Sequence, residues 1–113
     1  STFQNLSLGA NHSGWYDIPN VSQSAGTWNR SYINVPDGIS KLEVIVSGGS
    51  GDPDLYLNFG SAPNGNNWQC RPYQDAGYNE ICTINNPQAG QWHIGIYGYT
   101  AINGVQMKAR WHP

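Results

Sequence analysis

Charge is scarce in this sequence: only 11% of its 113 residues are Asp, Glu, Lys or Arg, and the fixed cations are Arg30, Lys41, Arg71, Lys108 and Arg110. At a formal charge of −2, with no basic stripe to neutralise a phosphate backbone, nucleic acid is not an expected partner. Long apolar runs are missing as well. None approaches the roughly 20 residues that span a bilayer, and the opening STFQNLSLG has no basic and apolar leader, so the chain reads as a soluble, non-membrane piece of a longer protein. Cysteine is limited to Cys70 and Cys82, too few for a thiolate zinc site. Their spacing suits one bridge between neighbouring strands or across a loop, with two free buried thiols as the alternative; a bridge implies an oxidising, extracytoplasmic home. Helical periodicity fails almost throughout, because fourteen Gly and seven Pro interrupt it before two turns can complete.

What recurs instead is alternation with a period of two. In KLEVIVSG the residues Leu42, Val44 and Val46 share one face, and in DLYLNFG so do Leu55, Leu57 and Phe59. Trp92, Ile94 and Ile96 do the same in QWHIGIYGY, as do Val105, Met107, Ala109 and Trp111 in VQMKARW. Weaker strands are expected in FQNLSL (Leu6 and Leu8 inward), RSYINV (Ile33 and Val35 inward) and EICTI (Ile81, Cys82, Ile84). The segments VPDG, GSGDPD, SAPNGNN, NNPQAG and AINGV carry turn chemistry, and several look like hairpin connections. The expected fold is all-β: an antiparallel β-sandwich of seven to eight strands with one disulfide, filling a single domain over residues 1–113.

The stretch SGGSGDPDLYLNFG, residues 47–60, invites chemical readings that its residue types reject. A phosphate loop needs a lysine and a helix after its glycines, whereas a strand follows here. A dinucleotide fingerprint needs glycine where Asp54 stands, and an EF-hand needs oxygen ligands at Leu55 and Tyr56. Asp52 and Asp54 share a face, which leaves two readings: a calcium site completed by loop carbonyls, or a turn whose carboxylates accept backbone N–H bonds. We assign no metal residues and no cofactor. None of the seven acids singles out a glycosidase pair, and His12, His93 and His112 have no nucleophile-elbow serine to serve, His93 being expected on the solvent face opposite the core and His112 at the frayed C-terminal end. No catalytic residue is expected.

Aromatic residues are in surplus: five Trp, seven Tyr and two Phe exceed what a thin sandwich needs inside. Exposed rings beside Asn, Gln and Asp offer stacking area plus hydrogen bonds, as a sugar- or collagen-binding face requires. HSGWYDIPN, residues 12–20, places Trp15 beside Tyr16 in a polar stretch without clear alternation, so both rings cannot easily be inside. Trp92 and Trp111 read as core, Trp28 as a strand-edge packer and Trp68 as a lid over the cysteines. Candidate ligand-binding residues are Trp15 and Tyr16, with Trp68, Tyr73 and Tyr78 beside the cysteine loop.

The ordered series VPDG, SGGSGDPDLYLNFGSAP, CRPY, NEIC, PQAGQWHIGIYGY and GVQMKARW closely resembles the bacterial pre-peptidase C-terminal domain. The resemblance implies a jelly-roll-like sandwich, secreted and monomeric, attached to an extracellular hydrolase, usually a protease, and without catalysis of its own. It places the family's paired cysteines on Cys70 and Cys82 and its Asp-x-Asp turn on Asp52 and Asp54. Related collagen-binding domains hold calcium largely through an N-terminal acidic segment, for which STFQNLSLGANHSG has no acid to offer. Two roles fit such a module: holding the enzyme on insoluble polysaccharide, chitin for example, or collagen, and aiding secretion, folding or processing. The stretch between residues 10 and 30 is longer than the family's usual connection, which we read as an added exposed aromatic loop.

Overall fold

A computed structural model describes residues 6–7, 15–72 and 80–113. Its strands are β1 (Leu6–Ser7), β2 (Tyr16–Gln23), β3 (Trp28–Val35), β4 (Lys41–Ser47), β5 (Pro53–Phe59), β6 (Glu80–Asn85), β7 (Gly90–Gly98) and β8 (Ile102–His112). They form two four-stranded sheets, ordered β1-β3-β7-β5 and β2-β8-β4-β6. Every pairing is antiparallel except that of the two-residue β1 with β3.

The four alternating segments lie where their periodicity puts them. Leu42, Val44, Val46, Leu55, Leu57, Val105, Met107 and Ala109 are wholly buried, and Trp92, Ile94 and Ile96 nearly so. Phe59 and Trp111 pack on the same cluster at its margin. Cys70 and Cys82 are joined. Two expectations need correction. No connection is a hairpin: consecutive strands always lie in opposite sheets, so every turn carries the chain across the sandwich and every pairing is non-local. A strand also occupies residues 16–23, where the sequence suggested an exposed aromatic loop. Its alternation is hidden because β2 is an edge strand that carries Pro19 and breaks register between Ile18 and Val21 and again before Gln23.

The glycine run before β5 is explained by close backbone approach. Gly49 and Gly51 have φ of 70° and 94° and lie against the start of β8 and the residue before it, where Ser50 exchanges two backbone hydrogen bonds with Asn103. A Cβ on Gly49 would stand 2.5 Å from the Asn103 carbonyl oxygen, and one on Gly51 would collide with the Ala101 carbonyl. Gly49→Ala should therefore lose more than the roughly 1–2 kcal/mol that left-handed backbone alone costs a non-glycine residue. A thermal melt checks this; an unchanged midpoint would contradict the packing.

The free edge of β5 is also covered. Leu57 pairs with Cys70 through N–H bonds in both directions at 2.8 and 3.0 Å, and the Phe59 N–H donates to Gln69 Oε1 at 2.7 Å. The Leu55 N–H donates to Glu80 Oε1 at 2.8 Å. Since β5 and β6 are the edges of opposite sheets, the Cys70–Cys82 bond and Glu80 together close this side of the sandwich. A carboxylate that accepts a strand N–H here is thus Glu80, reaching across from β6.

Candidate binding faces

Residues opposite one another in an antiparallel pair share a face. On the outer side of the first sheet the register therefore aligns Trp28 with Tyr97 and Asp54, Arg30 with Gly95 and Tyr56, and Tyr32 with His93 and Asn58. Gly95 supplies a flat floor: a Cβ there would meet Trp28 Cζ3 at 2.9 Å and Pro63 Cγ at 3.0 Å. Trp28 lies between Tyr56 (4.8 Å between centroids) and Tyr97 (5.1 Å). The Arg30 guanidinium sits 4.4 Å from the Trp28 ring and donates to the Pro63 carbonyl, while Arg71 sits 4.7 Å from the Tyr56 ring. Asn58 Nδ2 donates to the Ser61 carbonyl at 3.1 Å.

This aromatic-rich face is therefore roofed by the segment from Ser61 to Arg71 and acts as a second packing layer. Tyr56 and His93 are only 4% and 5% exposed. His93 does point away from the main core, but it is buried there and not solvent-facing as the sequence suggested; burial holds its imidazole below its usual pKa.

The outer side of the second sheet has no such roof among the described residues. On β8 it presents Gln106, Lys108, Arg110 and His112; on β4 Lys41, Glu43, Ile45 and Ser47; on β6 Ile81, Thr83 and Asn85. Ile81 is 56% exposed. Glu43 Oε1 accepts from His112 Nε2 at 2.6 Å and from Arg110 Nε at 3.3 Å. The His112 hydrogen bond, aided by Arg110, holds the Glu43 carboxyl below its ordinary pKa, so it stays ionised. Trp15, just ahead of β2, lies against this face with the Arg110 guanidinium 4.1 Å and the Lys108 ammonium 5.8 Å from its ring centroid. A planar ring flanked by cations on an open sheet can stack on a ligand and meet its polar groups at once.

A third feature is the acidic corner where β5 begins. Glu80 is 1% exposed, and its Oε2 has no hydrogen-bond partner. Burial first, and then the neighbouring Asp54 and Asp52, push its pKa up to about 7. Burial and Asp52 raise Asp54 as well. Among the described residues no group of three His, Cys, Asp or Glu side chains could hold a metal ion, and no cavity opens.

The structure separates the residues singled out from the sequence. Trp15 lies on the outer face of the second sheet, whereas Tyr16, the register partner of Ala109, packs inward against the core with its ring 6.5 Å from that of Trp111. Trp68 is half-buried in the segment that roofs the first sheet. Tyr73 and Tyr78 lie outside the described residues. Trp28, Tyr56 and Tyr97 went unnoticed as a cluster because only the strand register assembles them.

Comparison with known proteins agrees on the fold and the setting. The family model of the bacterial pre-peptidase C-terminal domain matches residues 27–98. Alkaline serine exoprotease A of Vibrio alginolyticus is 42% identical over 94 residues, which are 83% of this chain but only 17% of that protein. The virulence metalloprotease of Vibrio anguillarum is 42% identical over 69 residues, 61% of this chain and 11% of that protein. Among solved structures, the pre-peptidase C-terminal domain of a collagenase from Bacillus anthracis superposes with a TM-score of 0.69 at 16% identity, covering 97% of this chain and 98% of that one. The solution structure of vEP C-ter 100 gives a TM-score of 0.68 at 30% identity, covering 91% and 95%.

Proposed function

Because the chain belongs to the bacterial pre-peptidase C-terminal domain family, a non-catalytic accessory domain of proteases, we propose that it holds a secreted protease on insoluble polymer, polysaccharide or collagen, through the open face of its second sheet. The observation that carries this reading is Trp15, set against Arg110 and Lys108 on a sheet face that nothing among the described residues covers. The richer aromatic cluster on the first sheet is a poorer candidate, since it lies beneath the segment from Ser61 to Arg71, with Pro63 packed over Gly95 and Tyr56 only 4% exposed. Tyr16 supports the site from beneath as a core residue, and Trp68 belongs to the roof of the other sheet.

The test is retention of the chain on insoluble chitin, cellulose, collagen fibrils and an acidic polysaccharide gel. Trp15→Ala should lower retention on the polymer that binds by about 5- to 10-fold, the loss expected when a central aromatic contact is removed, and leave the melting midpoint within about 2 °C. Tyr16→Ala should lower the midpoint, as expected of a residue facing the core. Retention on no polymer, or retention indifferent to Trp15, would leave the domain as a segment for secretion, folding or processing of its protease.

A further inference from the structure

The few cations of this chain are unevenly placed. Of five, Arg30 and Arg71 lie on Trp28 and Tyr56 in the packed layer of the first sheet, while Lys41, Lys108 and Arg110 all leave the outer face of the second. Along β8, Lys108, Arg110 and His112 alternate onto that face at steps of about 6.8 Å, which makes a row about 14 Å long on an interior strand of the sheet. Lys41 stands opposite His112 and widens the row onto β4. Two acids share the face: Glu43 is held by Arg110 and His112, and Asp17 stands opposite Lys108. The other described acids are elsewhere, Asp37 in the turn after β3 and Asp52, Asp54 and Glu80 at the corner of β5 and β6. A chain of net charge −2 thus turns a face with three fixed cations and two acids toward solvent.

Resting on the polymer-binding reading above, we propose that this face takes an acidic polysaccharide, a glycan bearing carboxylate or sulfate groups. Its sugar rings lie on Trp15 and its anions are met by Lys108, Arg110 and Lys41. A neutral glycan would use the ring but make no use of the excess of fixed cations over acids on this face. Nucleic acid is held by many phosphate contacts from a basic stripe, and an anionic lipid surface by a cluster of about 4–8 basic residues; three fixed cations interspersed with two acids match neither.

The experiment uses the 113-residue chain on polygalacturonate beads and on unsubstituted cellulose beads. Retention is expected on polygalacturonate, falling steeply between about 0.01 M and 1 M NaCl as the screening length shrinks from about 30 to about 3 Å. Lys41→Gln with Lys108→Gln should weaken it at least tenfold. Asn66→Asp with Gln88→Glu changes net charge by the same amount at two exposed positions away from the face and should leave it unchanged. Equal losses in the two double variants would reduce the effect to net charge and overturn the proposal. If polygalacturonate holds no more protein than cellulose while Trp15→Ala still weakens binding to chitin or collagen, the acidic class falls and polymer binding stands. Retention on no polymer removes both.

Discussion

Replacing Cys70 and Cys82 together by alanine should lower the melting midpoint by about 10–15 °C. The bond spans 12 residues, and in the chain-entropy view closing a loop of that size removes about 3 kcal/mol of disorder from the unfolded chain. For a domain of this length each kcal/mol is worth about 4 °C. Alanine is the right replacement because Cys82 is fully buried, where a serine hydroxyl would add an unmet hydrogen bond. The consequence is also local. Cys70 supplies the backbone partner of Leu57, so releasing it from β6 loosens the strip that covers the β5 edge, and an uncovered edge recruits other chains. Calorimetry should give the lower midpoint, and light scattering earlier aggregation; a fall under about 3 °C would mean that the Leu57 pairing holds the strip alone.

The core was legible because it depends on a local rule. In β4, β5, β7 and β8 one face meets the opposite sheet, so apolar residues must recur at every second position whatever strand lies alongside. Order and connection obey no local rule. VPDG has hairpin chemistry, yet it joins strands of opposite sheets, because a tight turn serves to cross the sandwich as well as to reverse within a sheet, and AINGV, which also has turn chemistry, lies within β8 apart from Ala101. In β2, Pro19 and two register breaks erase the period on an edge where they cost little.

The faces were less legible than the core for the same reason. Alternation sorts residues into two sides but does not say which side water reaches. Alternation alone puts His93 on the wet side, yet Pro63, Trp28 and their neighbours from distant parts of the chain cover that sheet. Gly95 carried the clue. A glycine midway along a strand often marks close approach by other groups, and here a tryptophan and a proline rest on it. Trp15 and Tyr16 illustrate the opposite case, in which neighbours in sequence are sent to opposite faces by the pleat.

Glu80→Gln should make the protein more stable above neutral pH and remove the loss of stability that Glu80 causes in the parent as pH rises from about 4.5 to about 7. Glu80 has one oxygen on the Leu55 N–H and the other without a partner, buried beside Asp54 and Asp52, so its ionised form is disfavoured and its pKa rises from 4.5 to about 7. A raised folded-state value means that the folded chain holds the proton more tightly than the unfolded one. Stability is then complete below about 4.5 and declines as pH rises to about 7, levelling off above. The full linkage value is on the order of 3 kcal/mol, which we reduce to about 2 because the repulsion from half-exposed Asp52 and Asp54 is screened by solvent. Two groups act in the opposite sense. His93, held below its usual value, favours the fold as pH rises toward 6.5, and Glu43, held below its own, loses its contribution only at pH under about 4.5. The informative quantity is therefore the difference between variant and parent, in which those contributions cancel. Glutamine keeps the oxygen for Leu55 and carries no charge, so urea titrations should show the difference growing from near zero at pH 4 to about 2 kcal/mol at pH 8 in favour of the variant. A constant difference across that range would mean that Glu80 does not titrate there; a difference of opposite sign would mean that the ionised carboxylate, and not the neutral acid, closes the edge between β5 and β6.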